Sequence, residues 1–439
     1  MKANDDWLNI NNFKFDKMKK LILIIAIALI QFPLFSQDLI SKYKSGTVKL
    51  IPDTEYAQGN DWNTVFRSYY DTLYNKPMGM RKSLVLLPDG SLIVNHTYRD
   101  YRTKFSPTGQ FEKEFTIENA GHKAVMGVIN DNTLFTGLDN MGKMTCSDFN
   151  GKYKKTLTLD YMTRDIVALD NGKFAVVGSV IWSEKFRTFV SIVDYETNQE
   201  KVIWEHFEDR EFSSNGKKLN NRKPFNYTIK LKDGNLILIT TMPFSRRTGT
   251  GIPPQITTVK NELIVAIPNT GEILLYDLEG NLKSKSVINW QNKTISVDEQ
   301  KAIQQKAIDN YKALIENGDK RVHSDLEAFQ SMISEMEDDL RKINTPIAKP
   351  SFSNIIKDSD GNVLFFEIPE EKGANIFHVW VYNQVGQFAT KCTFTCDEYD
   401  LDISSGKMVF KDGYIYGLQT LKETNGNPLR LVRFKLEAN

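Results

Sequence analysis

Five histidines, three cysteines and a set of arginines between apolar runs are the side chains of this 439-residue chain best suited to chemistry. The histidines are His96, His122, His206, His323 and His378. No two of them stand at the i, i+4 spacing that puts two imidazoles on one helix face for a metal. His206 and His378 sit in alternating strand patterns and read as packing residues, and His323 as an exposed helix-hairpin residue. His96 and His122 fall between apolar runs, where a repeat protein presents ligand contacts. The segment NHTYRDYR, residues 95–102, adds Tyr98, Arg99, Asp100 and Arg102 to His96. WSEKFR contributes Arg187, FSRRTGTG contributes Arg246 and Arg247, and Arg164 sits beside another turn. If these segments share one end of the molecule, they form a cationic and aromatic rim. Guanidinium forks suit carboxylate or phosphate groups. The competing reading is that these are solvated surface charges, which a chain with 56 Lys and Arg must carry anyway.

Other chemistries find less support. Asp100, Glu118 and Asp165 are the carboxylates that could hold a cation, if an axis brought them together. The chain has no Gly-x-Ser-x-Gly elbow for a nucleophile. Gly249-Thr250-Gly251 lacks the lysine of a phosphate loop. We therefore expect no cofactor and no resident metal. Cys146, Cys392 and Cys396 exclude both a disulfide scaffold and a four-cysteine zinc site. Cys392 and Cys396 are about 13 Å apart along a strand, too far to bond easily.

The elements that would position these residues are hairpins. LVLLPDGSLIV, residues 84–94, is two apolar runs around Asp89-Gly90, and glycine adopts the positive φ such a turn requires. YRTKF and QFEKEFTI follow, around Pro107-Thr108-Gly109, making four short strands. VMGVINDNTLFTG with GKMTCSDFNGKYKKTLTL repeats the unit, and so does IVALDNGKFAVVG with RTFVSIVDYETNQEKVIWEHF. Further inner turns stand at Asp233-Gly234, Lys260-Asn261, Asp360-Gly361 and Asp412-Gly413. The first three recur about every 41 residues, the signature of an all-β propeller of four-stranded blades. Seven inner hairpins can be counted, but Gly234 and Asn261 are too close for a whole blade, so six or seven stay open. The last unit, 407–436, has three strands, and Thr47-VKLI or Trp62-NTVF could supply its fourth.

Two segments break the pattern. Residues 296–343 read as a helical hairpin inserted between blades, with capping boxes at Ser296-Val-Asp-Glu299 and Ser324-Asp-Leu-Glu327 and a stop at Gly318. Leu326, Phe329, Ile333, Met336, Leu340 and Ile343 make a narrow apolar seam, as a lid, a partner surface or a packing element would. At the other extreme, Met18-Lys-Lys precedes ten apolar residues, 21–30, the charged and apolar regions of an export signal. We expect upstream sequence and signal over 1–37, cleavage after Ser36, and a propeller over 38–439 with no membrane span. No cysteine lies near the signal for lipid attachment. The net charge of +1 speaks against nucleic acid as a partner.

The hairpins, and the charged helical insert followed by KPSFSNIIKDSDGNVLFF at 349–366, resemble the exported six-bladed β-propellers called TolB-like in Bacteroidetes-type bacteria. The resemblance covers nearly the whole expected mature chain. It implies six blades and an exported protein, periplasmic or extracellular, and is almost silent on activity. Many members carry a glycine-rich loop after the first blade, which here is the glycine-poor ENAGHK of 118–123. The reading is a non-catalytic module binding a small anionic or carbohydrate ligand, or an envelope protein, with His96, Tyr98, Arg99, Arg102, His122, Arg164, Arg187, Arg246 and Arg247 as candidate contacts. The alternative is a metal-dependent lactonase- or lyase-like propeller enzyme acting on such a ligand.

Overall fold

The computed structural model describes residues 39–66, 70–71, 76–77, 84–96, 101–120, 125–137, 143–159, 161–180, 185–209, 225–230, 236–241, 252–288, 294–316, 326–369, 375–404, 406–424 and 426–438. The export segment and the Asp233-Gly234 turn lie outside them.

Each predicted repeat is an antiparallel meander. The first unit is Leu84–Leu86, Leu92–Asn95, Tyr101–Phe105 and Phe111–Thr116. The second runs from Val125–Asn130 to Tyr153–Thr158, and the third from Met162–Ala168 to Glu200–Asp209. A two-stranded hairpin, Phe225–Lys230 with Leu236–Thr241, comes next in the chain. The fourth unit runs from Gln255–Val259 to Leu282–Val287. The fifth (Asn354–Lys357 to Phe388–Thr395) and the sixth (Met408–Lys411, Tyr414–Leu421, Leu429–Ala438) belong to one nine-stranded sheet.

What joins those two is Thr47–Pro52. It pairs antiparallel with Leu429–Ala438, as Val48↔Ala438 through Pro52↔Phe434, and so supplies the sixth unit's missing fourth strand. It also pairs in parallel with the fifth unit's outer strand, Thr47↔Thr393 to Lys49↔Thr395. The other candidate, Trp62–Val65, is a short helix capped by Asp61. Beyond the strand, the Asp53 carboxylate takes a forked pair of bonds from Arg433, at 3.0 and 2.6 Å.

The innermost strands of successive units touch, and that of the sixth touches that of the first, closing a cycle. The fold is a β-propeller. An apolar cluster fills each seam. Val85, Ile93, Met126 and Leu134 lie between the first and second units, and Phe135, Phe174 and Phe189 between the second and third. Val177, Val190, Leu263 and Val265 follow, then Val259, Phe352 and Phe365, then Phe366, Phe394, Met408 and Phe434. The last seam holds Leu84, Val94, Phe105, Leu418 and Leu431. Second strands such as Leu92–Asn95 are buried throughout, because both faces meet a neighbour. The outer strand Leu282–Val287, LKSKSV, is exposed throughout, as its composition requires. Cys146, Cys392 and Cys396 are all buried free thiols.

The insert is helical as read, Val297–Glu316 and Leu326–Lys342, and Ser296 Oγ accepts the Glu299 amide at 3.1 Å. The second capping box, Phe329's side chain and His323 fall outside the described parts. Ile308, Ile333 and Met336, flanked by Tyr311 and Leu340, form a cluster containing no ring residue. Gln304 Nε2 reaches the Met336 carbonyl, and Gln300 Nε2 those of Ile295 and Thr345, fixing the register of the pair. A two-stranded neck, Thr294–Ile295 with Ile347–Ala348, leads into it. No helix among the described residues is long and apolar enough to cross a membrane.

Candidate functional site

In a four-stranded meander, alternate turns fall at opposite ends. One end, the turn end, carries the first-to-second-strand turns at 88–91, 131–132, 170–172, 260–261, 358–362 and 412–413. The other carries the connectors between units and the second-to-third-strand loops. Only residues 159–161 separate Tyr153–Thr158 from Met162–Ala168, so the second unit's outer strand ends where the third unit's inner strand begins. We call this the connector end. His96, Arg102, Arg164 and Arg187 all belong to it by strand order. Tyr98, Arg99, His122, Arg246 and Arg247 lie outside the described residues, as does Asp100.

His96 and Arg102 are fully buried. His96 Nε2 lies 2.7 Å from Thr103 Oγ1, with the Tyr101 ring 4.5 Å away and Phe66 behind it. Arg187 is paired with Glu205, Nη2 to Oε2 at 2.9 Å, and lies over the Phe189 ring. Arg164 is half-buried with Nη2 3.9 Å from Met162 Sδ. His206 and His378 lie in strands as expected but are exposed, so neither is a packing residue: both project from third or outer strands whose faces meet solvent. The two described candidate metal carboxylates do separate jobs. Glu118 accepts the Tyr153 amide at 3.1 Å across a unit boundary, whereas Asp165 is buried in an inner strand.

What the connector end presents instead is a buried polar layer above the apolar seams. Successive strand residues face opposite sides, so the seam below each can be read from its apolar neighbours. Asn95 and Arg102, paired across their strands, share the side of Ile93 and cover the first seam. Thr163 meets Gly137 over the second, where a Cβ on that glycine would come within 3.2 Å. Asp165 shares the side of Val167 over the third, Gln255 that of Val259 over the fourth, and Asn354 that of Ile356 over the fifth. Lys407 shares the side of Val409 over the last. All these side chains are buried. Gln255 Nε2 donates to the Pro253 carbonyl at 3.0 Å. Burial pushes the Lys407 ammonium down to about 8, against the pull of Asp402. A buried polar group costs free energy unless it is partnered, and among the described residues each of these seams bears such groups at the connector end, while the turn end has its own in places, such as Asp358 and Asn362. Hairpin patterning hides this layer. Thr163, Gln255, Asn354 and Lys407 read from sequence as the polar residue that precedes an apolar run. The one signal available was that such a residue stands before four inner strands in turn.

No family profile matches the chain, and no curated protein sequence matches it significantly. Among solved structures, it is similar to a DUF4221-family member from Bacteroides vulgatus at 11% identity, over 90% of this chain and 100% of that one, with a TM-score of 0.48. A Bacteroides fragilis protein with a provisional export assignment aligns at 10% identity over 89% and 95%, TM-score 0.45. The calcium-binding protein regucalcin from Agrobacterium tumefaciens aligns at 8% identity over 83% and 91%, TM-score 0.38.

Proposed function

We propose that this protein is an exported, six-bladed propeller of the TolB-like kind that binds a small ligand at its connector end. Residues 1–36 are removed on export to the periplasm or beyond, and 38–439 form the ring, interrupted by the insert of 296–343. The six-blade reading is supported by the closed cycle of inner strands and by the six apolar seams. The binding reading is carried by one observation, the buried polar layer that crosses every seam at that end. Rigid inner strands hold it, so recognition groups are preorganised and little ordering entropy is lost on binding. His96 joins that layer from the first blade. Tyr98, Arg99, His122, Arg246 and Arg247 remain proposed contacts around it.

A thermal-shift screen of organic acids, phosphates and saccharides tests this. At least one class raises Tm in the wild type and fails to do so in an Asn354→Leu, Gln255→Leu double variant that still melts cooperatively. No stabilisation across the screen would contradict the reading. N-terminal sequencing of the secreted protein is expected to start at Gln37.

A further inference from the structure

We infer that Lys407 is the charged anchor of a small-oxyanion subsite, for a carboxylate or a phosphate group, at the connector end of the seam between the last unit and the first. The inference rests on the ligand-binding reading of that end. Lys407 stands at the start of the sixth unit's inner strand, between that unit's second strand and the first unit's inner strand. Its carbonyl accepts the Leu418 amide at 3.0 Å, and the carbonyl of Gly406 beside it accepts Leu84 N at 3.0 Å from the first unit. The lysine side chain is 6% exposed. Alternation turns it to the side of Val409, toward the first unit, in the layer above Leu84 and Val94. The first unit brings His96, Thr103 and Tyr101 to the same seam.

The ammonium has three donors and, among the described residues, no acceptor at hydrogen-bond distance. Its ion partner there, Asp402 Oδ2, is 3.8 Å away on a half-exposed side chain, beyond hydrogen-bond reach. Asp402 is otherwise engaged: its Oδ1 accepts the Ser404 amide and hydroxyl, and its amide donates to Gln419 Oε1 at 2.6 Å. A cation on so buried a side chain, with one carboxylate at 3.8 Å, has its desolvation only partly offset. An oxyanion supplies both the opposite charge and the missing lone pairs, in charge-assisted bonds. Burial lowers its pKa to about 8, against the pull of Asp402. A neutral hydroxylated ligand supplies acceptors but no charge.

Isothermal titration of the purified protein at neutral pH with D-glucuronate, inorganic phosphate and D-glucose tests the subsite, with Lys407→Met as the variant. The expected result is that glucuronate or phosphate binds at least about tenfold more tightly than glucose, and that Lys407→Met removes about tenfold or more of that affinity. The two oxyanion arms tell a carboxylate ligand from a phosphate. Equal affinity for glucose and glucuronate, or oxyanion affinity unchanged in a folded Lys407→Met protein, overturns the subsite but leaves the ligand-binding reading standing. Binding by none of the three overturns the subsite as well, and the wider screen then decides the broader reading. Should Lys407→Met not fold, acetylation of the wild type replaces it. Protection of Lys407 by phosphate relative to chloride at equal ionic strength supports the subsite, and equal labelling overturns it.

Discussion

Asp53 shows how one side chain ties the two ends of the chain together. Its amide donates to the Arg433 carbonyl at 2.7 Å, and its carboxylate takes the Arg433 fork while the guanidinium lies between the Tyr56 and Tyr414 rings. Burial alone would raise the Asp53 carboxyl, but the Arg433 fork and the Glu55 amide outweigh it, and the pKa ends below the ordinary value. Asp53→Asn leaves a guanidinium without its partner and is expected to cost about 2–4 kcal/mol in neutral denaturant melts. The sign with pH follows from the lowered carboxyl. The stabilisation is complete above the unfolded-state pKa and is lost as pH falls through the folded one. The Asn variant should therefore approach wild-type stability only in strong acid. Other residues were more legible in the sequence. Asp148, Asp277, Asp358 and Asn383 each stand three before a glycine, and each Oδ1 accepts the amides two and four residues on. The glycine takes φ of +91, +76, +82 and +75° in turn. A local rule of this kind is written in adjacent residues, so the turns could be read directly. The Asp53–Arg433 contact spans 380 positions and left no local trace.

At the scale of elements, the hairpins and the helical insert were legible because their signals are periodic and short-range. The destination of the N-terminal strand was half-legible: TVKLIP has strand character, while its dual pairing with Phe388–Thr395 and Leu429–Ala438 depends on ring geometry. The helix Leu39–Lys44 before it is also long-range in its contacts, with Tyr43 Oη donating to Asp358 Oδ2 at 3.1 Å. Deleting 38–66 removes that helix, the strand and Asp53 together, and circular dichroism should then show loss of the whole β signal in one transition. Unchanged melting would rule out closure by this strand. The insert behaves differently, since its apolar cluster is its own. Ile333→Asp should abolish the helical contribution to the far-UV spectrum while the ring melts within about 1 kcal/mol of wild type, because the charge is placed in a core the ring does not share. Loss of the ring's transition would instead mean that the insert packs as part of the ring.

For the whole molecule, size is reached by adding units around an axis, with apolar seams between them and no single growing core. That much follows from composition and repeat spacing. The buried polar layer of the connector end does not, because it emerges only when separate strands are brought to one face. His96 was legible as a candidate from its place between apolar runs, but its burial was not, since Phe66 and Tyr101 approach it from distant segments. The central claim is that the connector end is the binding face. Hydrogen–deuterium exchange of the wild type, with and without the compound that most raises Tm in the screen, tests it most directly. The account predicts slowed exchange at 93–96, 161–166, 252–256, 352–355 and 406–408, with no change at the turns 88–91, 260–261 and 412–413. Protection confined to those turns, or to the outer strands, would contradict it.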